Sequence, residues 1–226
     1  MGKAQYTRYC VAFLDILGFK NLVGTEDAST IHGIFSNIRH AKKLIRGSSG
    51  ENTWWTQLGK KTEIYFFSDS IVIAIPMSEP TALELVASNC MLLQHTLWYY
   101  GLPTWVRGGI AIGDLYCGKS EIFGPALIDA YTLEETVAKY PRIVMSESTY
   151  QMGIDNTEKK QDIIFVSQQP DKLRMVETLK YFDYEPQRSR LLRSISETMK
   201  EETNSRILEK FQWVIEYHRI DLAEFD

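Results

Sequence analysis

Between residues 63 and 76 the chain reads EIYFFSDSIVIAIP, two runs of aromatic and β-branched residues split by Ser68, Asp69 and Ser70. Runs of that composition form strands, and so short a polar break leaves room only for a tight turn, so the stretch is a β-hairpin. What flanks it restricts the topology. YCVAFL, residues 9–14, is a buried strand. In DASTIHGIFSNIRHAKKLI, residues 27–45, Ile31, Ile34, Phe35, Ile38, Ala41 and Ile45 recur at helical spacing, with Asp27 or Ser29 to cap the start. GSSGEN, residues 47–52, is a loop. Beyond the hairpin, Pro80 opens a helix that runs to about Tyr100 and is closed by Gly101. TWVRGGIAIG, residues 104–113, is a strand. The order β-α-β-β-α-β is the split pattern of a ferredoxin-like core.

The remainder adds to that core. FGPALIDAYTLEETVAKY, residues 123–140, is a helix ended by Pro141, and RIVMS is a strand. Two weaker strands lie in 161–182 around QQPDK, and 187–220 reads as one long helix with Leu191, Leu192, Ile195, Met199, Ile207, Phe211 and Val214 on one stripe. The expected fold class is α+β: a ferredoxin-like core with extra C-terminal strands and a long C-terminal helix. Residues 1–186 form the main domain, and 187–226 a helical extension packed on it. The mixed charges of that helix, Arg188, Arg190, Arg193, Lys200, Glu201 and Glu202, suit a solvated face or a strut.

Bulk properties narrow the function classes. At 226 residues and 44% apolar composition the chain is globular and can bury a sizeable core. A net charge of −4 gives no general reason to expect nucleic-acid binding. Cys10, Cys90 and Cys117 lack CxxC spacing and read as reduced thiols in or near the core. No secretory signal is visible, no apolar run approaches the ~20 residues of a membrane span, and MGKAQY lacks the Ser or Thr that myristoylation needs at position six. The expected location is the cytoplasm, without direct membrane association. The four histidines are far apart in sequence and have no metal-ligand companions at short spacing.

The chemistry lies in two acids. In a ferredoxin-like sheet the hairpin's second strand runs antiparallel beside the first strand of the chain. Asp15, at the end of VAFLD, is therefore brought beside Asp69 at the hairpin tip, although 54 positions separate them. Two carboxylates held close repel unless a cation intervenes. An incomplete shell of hard oxygen ligands suits Mg²⁺ or Mn²⁺, with substrate phosphates filling the rest. After Asp15 the chain leaves the strand through ILGFK, where a glycine turn exposes backbone N–H groups to a polyphosphate and Lys20 adds charge.

In order along the chain, FLDILGF, FFSDSIVI, VRGGIAIG and FGPALIDAYTLE with AKYPRI resemble the catalytic core of class III nucleotidyl cyclases over roughly residues 9–146. The resemblance implies that Asp15 and Asp69 bind two metal ions, Mn²⁺ or Mg²⁺, with the backbone of Ile16 as a further ligand. It also implies that Ile16, Leu17, Gly18, Phe19 and Lys20 hold the triphosphate. Two departures stand out. Where the family's adenylate cyclases carry an Asn and an Arg four apart on the helix after the turn, this chain has Ile128 and Thr132. The place of the adenine-selecting lysine is taken by Tyr65, and its partner carboxylate falls on Glu121. Arg107 is the candidate to replace the transition-state arginine, with Lys20 and Arg142 behind it. Arg107 also reads as a strand residue paired to a local carboxylate, Tyr65 as a core aromatic and Glu121 as an exposed loop acid. Trp54 and Trp55 suit packing.

With its changed base reader, SDS hairpin and compact format, the chain resembles the bacterial pyrimidine cyclases of anti-phage Pycsar systems. That resemblance implies a homodimer with sites at the interface, conversion of UTP to 3′,5′-cyclic UMP and pyrophosphate, and a separate effector that senses the cyclic nucleotide. The alternatives are a cytidylate cyclase, a purine cyclase, or a degenerate cyclase-like nucleotide-sensing dimerisation module.

Overall fold

The structure, a computed structural model, describes residues 4–47, 61–100, 104–118, 120–157 and 160–221. Gly2, Trp54, Trp55, Gly101 and all of the 47–52 loop except Gly47 lie outside the described residues. β1 (Thr7–Ile16) leads through a short helix α1 (Phe19–Thr25) into α2 (Ala28–Ile45), and then come the hairpin strands β2 (Glu63–Phe67) and β3 (Ser70–Pro76). α3 (Ala82–Tyr100), β4 (Val106–Cys117), β5 (Ile122–Phe123), α4 (Pro125–Thr136) and β6 (Ile143–Met145) follow. The chain finishes with α5 (Glu147–Asp155), β7 (Val166–Gln168), β8 (Arg174–Val176), a 3₁₀ turn at Leu179–Tyr181, α6 (Gln187–Glu201) and α7 (Ser205–His218).

The strands form one sheet in the order β2-β3-β1-β4-β6-β8-β7, with β5 paired to β4. β1 lies antiparallel between β3 and β4, as a ferredoxin-like core requires. The fold is mixed α+β, as expected from the sequence.

Side chains alternate across the sheet. On one face Cys10, Ala12, Leu14 and Ile16 join Ile34 and Ile38 of α2 and Leu83, Val86 and Leu93 of α3 in the main core. On the other face Val11, Val72, Ala74 and Leu115 pack with Ala126 of α4, with Phe13 and Tyr65 at the margin. α4 reaches the sheet because β4 is bare beneath it. A Cβ at Gly109 would stand 2.3 Å from the Ala130 carbonyl oxygen, so any larger residue would push the helix away. Cys10 and Cys90 are buried and Cys117 half-buried, all three as free thiols. Among the described residues, no helix is long and apolar enough to cross a membrane.

Several elements differ from expectation. α1 and β5 are additions, and the helix expected over 123–140 is Pro125–Thr136, because Phe123 pairs with Tyr116 in β5. The single C-terminal helix is two, broken at Glu202–Asn204: Glu202 accepts the N–H groups of Thr203 and Asn204 (2.8 Å each), and the Asn204 side chain accepts that of Arg206 (3.1 Å) to cap α7. These local bonds offer the backbone an alternative to helix. They also serve burial: a straight helix over 187–218 would span roughly 48 Å, whereas the break returns Val214 to the same apolar cluster as Leu191 and Ile195, around Trp98, Trp105 and Phe182. α5 is an addition to the expected elements, although its cap is visible in the sequence: Ser146 accepts the Thr149 N–H at 3.0 Å. β4 runs past Gly113 to Cys117 before turning back into β5.

Candidate active site

The end of β1 is held from both sides. Asp15 is paired with Ser70 of β3 and with Arg107 of β4. The Ile16 N–H donates to the Asp69 carbonyl at 3.1 Å and the Leu17 N–H to the Trp105 carbonyl at 2.8 Å. Since Phe67 pairs with Ser70, the hairpin turn is only Ser68–Asp69, and Ser68 takes a φ of 54°. That left-handed conformation is the kind a two-residue hairpin demands, here adopted by a residue with a side chain. It locks the Asp69 backbone against the strand end that carries Asp15.

Asp15, Asp69, Arg107 and a fourth residue, Glu134 of α4, form one charged cluster. Arg107 Nε donates to Asp15 Oδ2 at 3.2 Å, and Nη2 lies 2.7 Å from Glu134 Oε1 as an ion pair whose angle does not make a hydrogen bond. A further Arg107 N–H donates to the Ala138 carbonyl at 3.4 Å. Burial holds the Asp15 carboxyl above the usual carboxylate range; Arg107 pulls it down, and the neighbouring Asp69 pushes it up again. Glu134 is also raised, first by burial, against the pull of Arg107 and with the push of Asp15. Arg107 is thus paired to local carboxylates, and one of them is Asp15 itself. Glu134 escaped sequence reading, but a signal existed: it follows Ala126 and Ala130 at intervals of four, on the stripe of α4 that faces the sheet.

Oxygen donors converge here. Within an extended strand a residue's N–H and C=O point the same way, so the Ile16 carbonyl faces the hairpin tip along with its N–H. Among the described residues no three His, Cys, Asp or Glu side chains form a ready-made metal cage. Two carboxylates and a carbonyl match a hard cation that keeps other ligands from water or phosphate. Residues 16–20, the stretch expected to hold a triphosphate, divide by the state of their amides. The amides of Ile16 and Leu17 are spent on Asp69 and Trp105, whereas those of Gly18, Phe19 and Lys20, at the first turn of α1, have no intrahelical partner. Gly18 takes φ 76° and faces open space, and Lys20 is exposed.

Tyr65 lies elsewhere on the same sheet face, and Glu121 in the turn between β4 and β5. Tyr65 pairs with Val72, which pairs with Phe13, two residues before Asp15. Its hydroxyl donates to the Gly118 carbonyl at 2.5 Å, and burial with Cys117 and Glu63 nearby pushes its phenol up to about 12. Gly118 in turn donates its N–H to the Glu121 carbonyl at 2.7 Å, and the Glu121 carboxylate lies beside the Gly118 Cα. The turn after β4 therefore brings these two residues together.

Ile128 is 64% exposed on α4, and the Thr132 hydroxyl is turned back onto the Ile128 carbonyl at 2.8 Å. Arg142 is committed to Asp171 (2.8 Å) and the Val137 carbonyl (3.3 Å), which fits a structural part. A groove of about 810 Å³ lined by Thr7, Arg8, Met77 and Met152 sits at the opposite end of β1 from Asp15.

No family model matches the sequence, and no curated protein sequence matches it either. Solved structures do match. The adenylyl cyclase CyaB from P. aeruginosa superposes with a TM-score of 0.53 at 18% identity, covering 77% of this chain and 96% of that one. The catalytic core of a rhodopsin-guanylyl cyclase with converted specificity, in complex with ATPαS, gives 0.54 at 16%, covering 78% and 98%. The guanylyl cyclase Cya2 gives 0.52 at 14%, covering 82% and 97%. The chain has the fold of class III nucleotidyl cyclase domains. In this cyclase fold almost the whole of each neighbour is represented, so what lies outside the match belongs to this chain.

Proposed function

We propose that the protein is a nucleotidyl cyclase that converts a nucleoside triphosphate, UTP by preference, into its 3′,5′-cyclic monophosphate and pyrophosphate. The observation that carries this reading is the meeting of Asp15, Asp69 and Arg107 at one sheet edge beside the Gly18 turn, in a cyclase fold. Asp15, Asp69 and the Ile16 carbonyl would hold Mg²⁺ or Mn²⁺, two ions per site. When bound, such ions neutralise the phosphates and lower the pKa of the attacking hydroxyl. The 3′-oxygen forms a bond to the α-phosphorus, the bond to the bridging oxygen of the β-phosphate breaks, and the hydroxyl proton leaves.

The chain's own part is positioning and charge. Arg107 serves as the cation for the phosphoryl group, and the free amides of Gly18, Phe19 and Lys20 receive the outer phosphates. Tyr65 and Glu121 read the base, the bulk of the ring favouring a one-ring base. The product is a second messenger in anti-phage defence, made in the cytoplasm and sensed by a separate effector. Two copies complete two sites: Phe67 (85% exposed), Ile128 and Tyr131 (42%) leave the α4 face apolar and open, which suits a second copy.

The test is incubation with each of the four common triphosphates and Mn²⁺, with the cyclic product identified by mass. Cyclic UMP is the expected main product, and Asp69→Asn is expected to remove it. Cyclic CMP or a cyclic purine product would move the substrate assignment while keeping the reaction. A second reading, a nucleotide-sensing dimerisation module, is favoured by Ile128 and Thr132, which offer α4 no cation; no cyclic product from any triphosphate would select it.

A further inference from the structure

The sheet-edge cluster has a neighbour from the far end of the chain. α7 lies against the segments that carry the cluster. Glu209 accepts the Tyr140 hydroxyl (3.1 Å), Phe211 meets Trp105 edge-on with ring centres 6.3 Å apart, and Trp213 stacks on Tyr140 at 5.2 Å. Trp105 is the residue whose carbonyl holds Leu17, and Leu17 packs on the same apolar cluster as Phe211. Lys210 stands between Glu209 and Phe211. It is half-buried, and among the described residues it makes no ion pair. Its ammonium is close enough to Arg107 and Asp15 to feel both: burial lowers its pKa most and Arg107 lowers it further, while Asp15 and Glu209 pull the other way.

A half-buried lysine beside a guanidinium is an unfavourable arrangement for a protein without ligand. It becomes favourable when an anion of several charges arrives. The surroundings fit that: Arg107 already shares its charge with Asp15 and Glu134, whereas Lys210 makes no ion pair among the described residues and its charge is left for a phosphate. We propose that Lys210, carried on α7 of the same chain, contacts the polyphosphate of the bound nucleotide. The C-terminal helices are then part of the active site. This rests on the triphosphate reading given above and adds a residue that no strand or loop of the ferredoxin-like core supplies.

The experiment measures binding of inorganic pyrophosphate and of UTP, each with Mn²⁺, by calorimetry on the full chain, and turnover in parallel. Lys210→Met keeps the aliphatic stem and removes the charge; Lys210→Arg restores a cation. Removing a charge-assisted hydrogen bond to phosphate should weaken pyrophosphate and UTP binding about tenfold to a hundredfold, with Lys210→Arg recovering most of the affinity and the melting temperature unchanged in both. Unaltered pyrophosphate affinity in Lys210→Met would overturn the inference while leaving cyclisation standing. Equal losses in both variants with a lowered melting temperature would also overturn it, assigning Lys210 to packing. Lys210-dependent pyrophosphate binding in a protein that cyclises no triphosphate would instead sink the cyclase reading and keep the lysine.

Discussion

On β1, Cys10, Ala12, Leu14 and Ile16 are at most 1% exposed, while Phe13 and Asp15, their neighbours in sequence, stand partly open on the other face. The first face is finished within one chain: α2 and α3 cover it with aliphatic side chains. The second is covered by α4, through glycines in β4, and towards β6 and β8 by Trp213 and Tyr217 of α7; Asp15, Asp69, Tyr65 and the exposed Phe67 lie beside α4, whose own Ile128 is exposed. One strand thus serves both stability and chemistry by alternation, and a charge can sit at its end because only one of its two faces is sealed. The difference also assigns roles: substitutions on the sealed face should act on folding, and those on the open face on ligand, turnover or assembly.

Four measurements can break or sharpen that division. The largest effect is expected from Asp15→Asn, which should lower turnover by roughly a thousandfold or more, since it removes a charged ligand at the reacting centre, while the thermal midpoint stays close to wild type. A comparable loss of stability would show that Asp15 belongs to the core. Next, Leu14→Ala on the sealed face should cost about 3 kcal/mol in urea unfolding, with the KM of the folded fraction unchanged. If KM moved instead, the faces would not be independent.

Third, Ile128→Arg on the open face should raise the dimer dissociation constant about tenfold or more in sedimentation velocity, since a charge at the centre of an apolar patch must be desolvated for the copies to meet. A wild-type protein that sediments as a monomer while turning over substrate would remove the need for a second copy. The smallest effect lies off both faces. Arg174 donates to Glu147 at 2.7 Å and 3.0 Å and, with Gln151, holds its carboxyl down at about 2. A depressed carboxyl stabilises the fold above its unfolded value of about 4.5, and that contribution is lost as pH falls towards 2. Because the side chain is 39% exposed, solvent screening should keep it to about 1 kcal/mol or less. Glu147→Gln should flatten acid unfolding over that window and leave turnover at neutral pH untouched.

Much of the site was legible in the sequence because hairpins and β-α-β order transmit position reliably. Asp15 and Asp69 could be brought together from the register of a split βαβ pattern, without any knowledge of packing. Arg107 was reached only as the candidate to replace an arginine missing from the pattern the chain resembles; that it pairs beside Asp15 came from the structure. Glu134 was readable only in part: its four-residue spacing from Ala126 and Ala130 marked a buried stripe, but not that the stripe ends over Asp15. Lys210 carried no signal, since a lysine on a mixed-charge helix reads as solvated until the break at Glu202–Asn204 turns that helix back. The link from Tyr65 through Gly118 to Glu121 depends on how far β4 runs before it reverses.

The amino-acid order by itself determined the strands, their alternation and the pairing that puts two acids at one edge, because each of these follows from local periodicity and from the short reach of a two-residue turn. The tertiary structure alone decided which helix lies over that edge, which cation it brings and which carboxylate Arg107 grips. Those depend on the angle and depth at which helices settle on a sheet, and these are set by the sum of many side-chain contacts far apart in sequence.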